Sequence, residues 1–355
     1  MGGQQILYLS QEDVRRTGRL SPKNCNEVLE KSFALVGSDD FLMGGATGAE
    51  HGIGIHFPDT SLISSMPLNA PDYRYMAMIG YVGGDFHVCG TKVYGSNVQN
   101  TSRGIPRSNH IIVLNDVETW MPLAIISGTE ISNLRTGAVA GVAARHLAPA
   151  NARTCGLVGA GAVNRAALTC LVSALPSLER VYVYDRLPEK SQQFLQDMKD
   201  LPLEFCVAES DQEMLPLCDV VHYATTAILP WPVVDPEWIK PGALVEISCL
   251  VNYPQSLVKG KNIVFDLLRM HEIWLKTDPG QNLATYPILR LREQGMLEGH
   301  EIKELGKLIN GTQTLAHQGS TTLFMANGLP VWDVALAYSV YETAKENQIG
   351  TWLSL

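Results

Sequence analysis

The chain has 355 residues, 46% of them hydrophobic and 18% charged, which is typical of a globular protein and excludes a disordered one. Its length exceeds that of an average domain, so we expect two domains. The formal net charge of −9 argues against nucleic acid or an anionic membrane as a partner, and no apolar run is long enough to span a bilayer, so we expect a cytoplasmic protein.

The cysteines and histidines give no sign of a disulfide framework or a metal site. The seven cysteines are odd in number and scattered, and no two are spaced as CxxC. The histidines show no metal-ligand spacing. We therefore expect reduced, mostly buried thiols and no metal. The cysteines are Cys25, Cys89, Cys155, Cys170, Cys206, Cys218 and Cys249.

The N-terminal section combines a strand, two helices and an irregular loop. Residues 6–9 predict a short strand, and Ser10 with Asp13 three residues later predicts a helix start. Ser21 and Pro22 open a second helix, in which apolar residues recur at helical spacing. Residues 44–54 are glycine-rich and are expected to be irregular, either as the wall of a substrate pocket or as a plain surface loop.

Four strand-like segments then follow without helices between them, which predicts an antiparallel or mixed sheet. Lys92 lies in the second of these strands, where a lone lysine usually faces solvent. Residues 131–144 predict a buried helix of small apolar residues that links two domains. Arg135 near its start needs an anion if it is buried. The four strands cover residues 75–79, 86–94, 111–114 and 122–126.

A strand, a glycine turn, a helix and a second strand follow at residues 154–185. Gly159 permits a tight turn, and Gly161 would let a pyrophosphate approach the N–H groups that open the helix. Asp185 ends the second strand roughly 20 residues beyond the turn, where a dinucleotide-binding unit places the carboxylate that holds the adenosine ribose. A carboxylate there repels a 2′-phosphate and favours NAD over NADP. Asn164 departs from the pattern, which prefers Gly or Ala for close helix–strand packing, and the alternative is a tight turn without a ligand.

The parallel-sheet pattern continues to residue 325, with strands expected at 204–208, 220–224, 243–247, 263–266 and 321–325. Residues 329–347 predict a long helix that returns to the first domain, with Asp333 as an acid in its first turn. We therefore expect the α/β class. Residues 1–132 and 329–355 would form a split α+β domain for substrate binding and dimerisation, into which a Rossmann NAD-binding domain of residues 133–328 is inserted.

Several motifs, in this order and spacing, resemble the ornithine cyclodeaminase and mu-crystallin superfamily. They are residues 90–92 (GTK), 131–138 (ISNLRTGA), the turn at Gly159 and residues 322–328 (TLFMANG). Within that superfamily, residues 104–109 (GIPRSN), 113–116 (VLND) and 347–351 (NQIGT) are similar to siderophore-pathway dehydrogenases that make 2,3-diaminopropionate. Those relatives oxidise an opine-like secondary amine and hydrolyse the imine.

The resemblance implies roles in both domains. Lys92 would lie at the substrate carboxylate and the reacting carbon, Arg135 would bind that carboxylate, and Arg107 would also bind substrate. Both buried cations would thereby gain an anion. The family forms homodimers through the first domain, which implies a homodimer here. The residues implied to hold NAD are Thr136, Gly159, Gly161, Ala162, Val163, Asp185, Arg186 and Thr225.

Asn252 is placed at the catalytic position where the family usually has an aspartate, and an amide cannot accept a proton. The loop at 44–54 also lacks a basic residue that relatives use on the carboxylate. Three interpretations stay open. Glu246 or His110 supplies the proton, the enzyme stops at imine and amine interconversion, or catalysis has been lost.

The first hypothesis is a cytoplasmic NAD-dependent oxidoreductase that acts on the C–N bond of an amino acid or opine-like secondary amine, in the biosynthesis of a non-proteinogenic amino acid, siderophore or other natural product. The second is an ornithine cyclodeaminase-type ammonia lyase that recycles bound NAD. Asn252 in place of the usual aspartate argues against this second hypothesis. The third is a non-catalytic mu-crystallin-like protein that binds NAD(H) or a metabolite.

Overall fold

The computed structural model describes residues 4–226, 229–281, 283–297 and 301–355. They fall into two compact units. Unit 1 contains the described residues up to 28, together with 39–135 and 329–355, and unit 2 contains residues 29–38 and the described part of 136–328. No helix in the described ranges is both long enough and apolar enough to cross a membrane.

The strands and helices follow one another along the chain in a fixed order. They are β1 (Gln5–Leu9), α1 (Gln11–Arg16), α2 (Pro22–Gly37), β2 (Phe41–Met43), β3 (Ile53–Ile55), β4 (Arg74–Val82), β5 (Val88–Ser96), β6 (Ser108–Asp116), β7 (Pro122–Ser127), α3 (Thr129–Leu147), β8 (Thr154–Val158), α4 (Ala162–Ala174), β9 (Arg180–Tyr184), α5 (Pro188–Met198), β10 (Glu204–Val207), α6 (Asp211–Met214), β11 (Val220–Tyr223), β12 (Leu244–Ile247), β13 (Asn262–Phe265), α7 (Leu268–Thr277), α8 (Tyr286–Glu293), β14 (Ile302–Glu304), α9 (Leu305–Ile309), β15 (Thr322–Met325), α10 (Pro330–Glu346) and β16 (Thr351–Ser354).

Unit 1 is built on a mixed sheet in the order β16-β1-β7-β6-β5-β4-β2, with β3 also paired to β4. Side chains alternate between the two faces of each strand. On β4 the even-numbered residues from Met76 to Val82 are buried, and the register places Met78 opposite Lys92 of β5. Helix α10 packs on this face, where Gly90 lets it come close. A Cβ at Gly90 would lie 2.9 Å from a methyl of Val334.

Unit 2 is built on a sheet in the order β10-β9-β8-β11-β12-β15-β13-β14, and every paired strand in it is parallel. The chain runs from β8 outward to β10 and then crosses to the other side of β8 to form β11. The strand order therefore reverses between β8 and β11, and ligands bind at the carboxyl ends of strands at such a switch point. The predicted fold class, a Rossmann fold combined with a split α+β fold, is confirmed.

Several short elements were not predicted. Strands β2, β3 and β14 have three residues each, too few to show alternation. Strand β16 is exposed on every residue and is held by antiparallel pairing with β1. Helices α5, α7, α8 and α9 were also missed. Residues 44–54, expected to be irregular, contain one bridge between Gly44 and Glu50 and the start of β3.

Candidate active site

The glycine turn of unit 2 leaves an open cradle at the start of α4. Gly159 has φ +97°, and a Cβ there would lie 2.5 Å from the carbonyl oxygen of Ala224. Gly161 is the N-cap of α4, and a Cβ there would meet nothing within 4 Å. The first N–H groups of a helix have no partner within the helix, and they carry the positive end of its dipole. The turn therefore fits a dinucleotide pyrophosphate.

Asp185, directly after β9, lies against this turn. Its carboxylate accepts hydrogen bonds from the N–H of Ala160 at 2.9 Å and from the N–H of Leu187 at 3.0 Å. The predicted ribose-binding acid and the predicted phosphate turn are thus together. Thr225, which follows β11, lies beside the same turn. A Cβ at Gly159 would lie 3.2 Å from a side-chain carbon of Thr225.

The other predicted cofactor residues have simpler surroundings. Ala162 and Val163 are the first residues of α4. Thr136 lies on α3 beside Gly137, whose missing Cβ lets α3 approach the backbone of Ala166 on α4. Arg186 is exposed after Asp185.

Asn164 holds the glycine turn from inside. Its side chain is fully buried, and its amide Nδ2 donates to the carbonyl oxygens of Val158 at 3.0 Å and Gly159 at 2.5 Å. Its Oδ1 lies 2.7 Å from Nδ1 of His222, and Nε2 of His222 lies 3.1 Å from the hydroxyl of Ser248. At this position, where the pattern prefers Gly or Ala, the Asn164 amide connects α4, the turn and β11.

This chain of hydrogen bonds determines which ring nitrogen of His222 carries the hydrogen. Because the Asn164 amide nitrogen already donates twice, its oxygen accepts, so Nδ1 of His222 carries the hydrogen and Nε2 accepts from Ser248. Burial lowers the pKa of His222 to about 4, so the ring is neutral at pH 7. Ser248, just beyond β12, therefore presents its lone pairs away from His222.

In unit 1, Lys92 and Arg135 share one carboxylate. Lys92 Nζ donates to Oδ2 of Asp333 at 2.7 Å, and Nε of Arg135 lies 3.1 Å from the same oxygen. All three side chains are buried. Within the described ranges, neither Nε of Arg135 nor Oδ1 of Asp333 has a hydrogen-bond partner. Two cations against one carboxylate leave one positive charge uncompensated, so a further anion fits here.

The charges in this cluster shift one another. Burial lowers the pKa of Lys92, the charge of Arg135 lowers it further, and Asp333 only partly offsets these effects, which leaves the pKa at about 8. Burial would raise the pKa of Asp333, but Arg135 and Lys92 together hold it below its usual value. Asp333 was predicted only as an acid of the first helical turn. It does lie there, but its partners are far away in sequence, and no local pattern indicates them.

Aromatic residues extend the cluster along the sheet face. The ring of Tyr94 lies 5.4 Å from Lys92 Nζ, and His110 stacks on Tyr94 with centroids 5.0 Å apart. Burial, and after it the charge of Lys92, lowers the pKa of His110 to about 3, so His110 is neutral. Arg107, predicted to bind substrate, is ion-paired with Asp72 rather than with Asp333.

The remaining predicted acid/base residues lie in unit 2. Asn252 has an exposed side chain, and its backbone N–H and C=O pair with Pro232 and Val234. Glu246 is fully buried on β12, neither of its carboxyl oxygens has a partner within the described ranges, and burial raises its pKa well above the usual value. Glu246 is therefore an interior residue that does not face solvent.

The sequence pattern of the Ornithine cyclodeaminase/mu-crystallin family matches residues 23–348. The chain belongs to this family. It is 25% identical to the N-((2S)-2-amino-2-carboxyethyl)-L-glutamate dehydrogenase of Staphylococcus aureus over 99% of both chains. It is 26% identical to a Delta(1)-pyrroline-2-carboxylate reductase of Bacillus cereus over 92% of this chain and 94% of that protein.

A solved structure is similar to this chain over nearly its whole length. The Delta(1)-pyrroline-2-carboxylate reductase of Thermococcus litoralis, in complex with NADH and L-proline, matches with a TM-score of 0.81 at 27% identity, over 98% of this chain and 99% of that one. The family resemblance predicted from the motifs is confirmed.

Replacing Asn164 should weaken dinucleotide binding in this family member. Asn164→Ala leaves the Gly159 carbonyl and the Nδ1–H of His222 without these partners in the interior, and each such group costs ~1–3 kcal/mol. We expect a lower melting temperature and at least ~10-fold weaker NADH binding, measured by fluorescence titration well below that temperature. Asn310→Ala, which removes a bond to the carbonyl of Ala34 in the same unit, is the control. Equal NADH affinity in both variants would contradict the role of Asn164.

Replacing Glu246 should increase the stability of the protein relative to the native form, and this increase should be larger at higher pH. Burial raises the pKa of Glu246 in the folded state well above its unfolded value of 4.5. The folded state therefore keeps this proton at a pH at which the unfolded state has lost it. As pH increases from 4.5 toward the folded pKa, this lowers the free energy of unfolding by about 1.4 kcal/mol per pH unit. Glu246→Gln removes this proton linkage. The free energy of unfolding of the variant and of the native protein is measured by urea unfolding at pH 5.5 and pH 7.5. The variant should become more stable relative to the native protein at pH 7.5, and an equal difference in free energy at both pH values would refute the assignment.

Proposed function

We propose that this family member is an NAD-dependent oxidoreductase that acts on the C–N bond of an amino acid or opine-like secondary amine. The observation that carries the proposal is the buried cluster of Lys92, Asp333 and Arg135, in which two cations share one carboxylate and one positive charge is uncompensated. Such a site suits the α-carboxylate of an amino acid. Its relatives named above are dehydrogenases and reductases of amines and imines.

NAD would be held by the turn at Gly159 and Gly161, by the first residues of α4 and by Asp185, and it supplies the hydride acceptor. Thr136, Arg186 and Thr225 are proposed as further contacts. The carboxylate of Asp185 would disfavour the 2′-phosphate of NADP. The complex of the Thermococcus litoralis relative with NADH supports this choice.

In the oxidative direction, Arg135 would bind the substrate carboxylate and fix the α-carbon. The substrate ammonium must lose a proton before the α-carbon gives up hydride and the C–N bond becomes an iminium. Lys92 suits this step because its pKa of about 8 lies near neutrality, and in the reverse direction the ammonium of Lys92 returns the proton. Asn252 cannot accept a proton, and Glu246 and His110 are poorly matched to the task.

We further propose a cytoplasmic homodimer that works in the biosynthesis of a non-proteinogenic amino acid or siderophore. Residues 1–132 and 329–355 would bind substrate and dimerise, and residues 133–328 would bind NAD. An exposed apolar row crosses the outer face of the unit 1 sheet, where Ile53, Ala77, Val93 and Ile111 are register partners and both isoleucines are exposed. A patch of this kind marks an interaction surface.

The activity is tested by mixing the protein with NAD and a panel of amino acids and opines while NADH and ammonia are followed together. NADH without matching ammonia is the expected result. Ammonia without net NADH would indicate a cyclodeaminase, and tight NADH binding without any turnover would indicate a binding protein.

Arg135→Ala should separate substrate binding from cofactor binding. Loss of a charged hydrogen-bond partner, worth ~1.5–3 kcal/mol, should raise KM for the amine ~10- to 100-fold. The dissociation constant of NADH should stay within about twofold, because the NAD site belongs to unit 2. Arg145→Ala, on the same helix, serves as the control, since Arg145 pairs with Glu30. Equal losses for both ligands in Arg135→Ala would argue against the role.

The pH profile should report Lys92. The side chain is an ammonium below about pH 8 and an amine above it, so oxidation of the amine should speed up, and reduction of the imine should slow down, as pH rises through 8. Lys92→Arg keeps the positive charge but cannot release the proton. We expect that variant to lose ~100-fold or more in kcat and to retain only the titration of the substrate amine. An unchanged profile near pH 8 in the variant would exclude Lys92 as the proton acceptor.

A further inference from the structure

A serine hydroxyl lies at the carboxyl edge of the unit 2 sheet, two strands away from the glycine turn. Ser248 directly follows β12, and its backbone N–H donates to the carbonyl oxygen of Tyr223, the last residue of β11, at 3.0 Å. The residue is partly exposed, so a ligand at this edge can reach it. Nothing in the proposed mechanism uses this hydroxyl.

The strand order gives the direction in which a bound dinucleotide runs. β9, β8, β11 and β12 are neighbours in this order and are parallel, so their carboxyl ends lie at one edge. Asp185 after β9 takes the adenosine ribose and the turn after β8 takes the pyrophosphate, an arrangement that rests on the proposed binding of NAD. The nicotinamide half then extends past β11 to β12, which lies ~10 Å from β8 at ~4.8 Å per strand.

The hydrogen of the Ser248 hydroxyl points into the protein. Asn164 donates from Nδ2 to two carbonyl oxygens, so its Oδ1 accepts the Nδ1–H of His222 at 2.7 Å. Nε2 of His222 is then an acceptor, and Oγ of Ser248 donates to it at 3.1 Å. Asn164 and His222 are fully buried, which keeps water from competing for their bond. A hydroxyl has one hydrogen and two lone pairs, so Ser248 offers only lone pairs to a ligand.

An oxygen that only accepts is complementary to a group that only donates. On the nicotinamide half of NAD, the carboxamide NH2 only donates, whereas each ribose hydroxyl both donates and accepts. Holding the carboxamide at the end of β12 fixes the rotation of the pyridine ring about its glycosidic bond. That rotation decides which face of the ring meets the substrate carbon, so the contact also positions the hydride transfer.

We propose that Ser248 accepts a hydrogen bond from the carboxamide NH2 of NAD and so orients the nicotinamide ring. Asn164 and His222 are positioning residues, because they fix the hydrogen of Ser248 without touching the carboxamide. One chain of hydrogen bonds therefore joins the turn that faces the pyrophosphate to the nicotinamide contact. The Gly or Ala that the dinucleotide-binding pattern prefers at position 164 has no side-chain amide to start this chain.

The test compares NAD with its 3-acetylpyridine analogue, in which a methyl group replaces the amide NH2. Binding to the native protein and to each variant is measured by calorimetry without an amine, so no reaction takes place. Loss of one uncharged hydrogen bond should weaken binding ~3- to 10-fold. Ser248→Ala should show this loss with NAD and should change the affinity for the analogue by less than about twofold.

Matched variants assign the preference for NAD to this hydroxyl. Ser248→Thr keeps the hydroxyl and should keep the preference. Ser177→Ala removes a hydroxyl ahead of β9 that donates to the carbonyl oxygen of Ala152, and it should leave both affinities unchanged. Asn164→Ala should weaken both ligands and also reduce the preference, because His222 can then carry its hydrogen on Nε2 and Ser248 can turn its own hydrogen outward. Thermal melting verifies that each variant is folded.

The outcomes separate this contact from the proposed function. Equal losses for NAD and the analogue in Ser248→Ala would overturn the contact, as would an equal loss for ADP-ribose, which has the ribose hydroxyls but no carboxamide. An unchanged preference in Asn164→Ala would overturn the role of the hydrogen-bond chain.

A selective loss of NAD affinity in Ser248→Ala supports the contact even if no amine is oxidised, in which case the proposed amine oxidation fails alone. Turnover of an amine, with NAD affinity that Ser248→Ala leaves unchanged, overturns the contact alone. A native protein that binds neither dinucleotide overturns both.

Discussion

Unit 1 depends on the buried carboxylate of Asp333. Each buried charge costs several kcal/mol unless it is paired, and Lys92 and Arg135 are both buried. Asp333 compensates one of the two charges, and this requires β5, α3 and α10 to meet at one place. The glycine at position 90 allows α10 to come close enough. The remaining positive charge is the chemical property that suits this interior to an anion.

Around its glycine turn, unit 2 uses hydrogen bonds between uncharged groups instead of ion pairs. Asn164 satisfies two turn carbonyls and His222 satisfies Ser248, so that a tight glycine turn is held without a charge. In a low-dielectric interior, a complete network of this kind rigidifies its surroundings. Glu246 on the neighbouring strand differs, because its carboxyl group is buried without a hydrogen-bond partner within the described ranges. Unit 2 therefore has a rigid hydrogen-bonded glycine turn, and unit 1 has a buried cluster of charges.

The sequence predicted the features that are encoded locally. The glycine turn, its helix and Asp185 lie within one short segment, and the motifs that carry the family resemblance are also local, so the Rossmann fold and the family could be predicted. The pairing of Lys92 with Asp333 joins residues 241 positions apart, and no periodicity indicates such a contact. Asn164 was interpreted only as a departure from the pattern, because its hydrogen bond to His222 exists only once β11 lies beside β8. The short strands β2, β3 and β14 depend on their neighbours in the same way.

The position of Asp333 late in the chain affects how the protein can be made. Unit 2 is complete once residue 328 has been synthesised, whereas unit 1 also needs α10 and β16. Until residues 329–355 have left the ribosome, Lys92 and Arg135 lack the counter-charge of Asp333, and β1 lacks its partner β16. Domains fold as units during synthesis, so unit 2 can form on the ribosome while unit 1 must wait. A premature stop codon after residue 328 would thus yield a chain with one folded half and one charged, open half, which proteases in the cell can recognise.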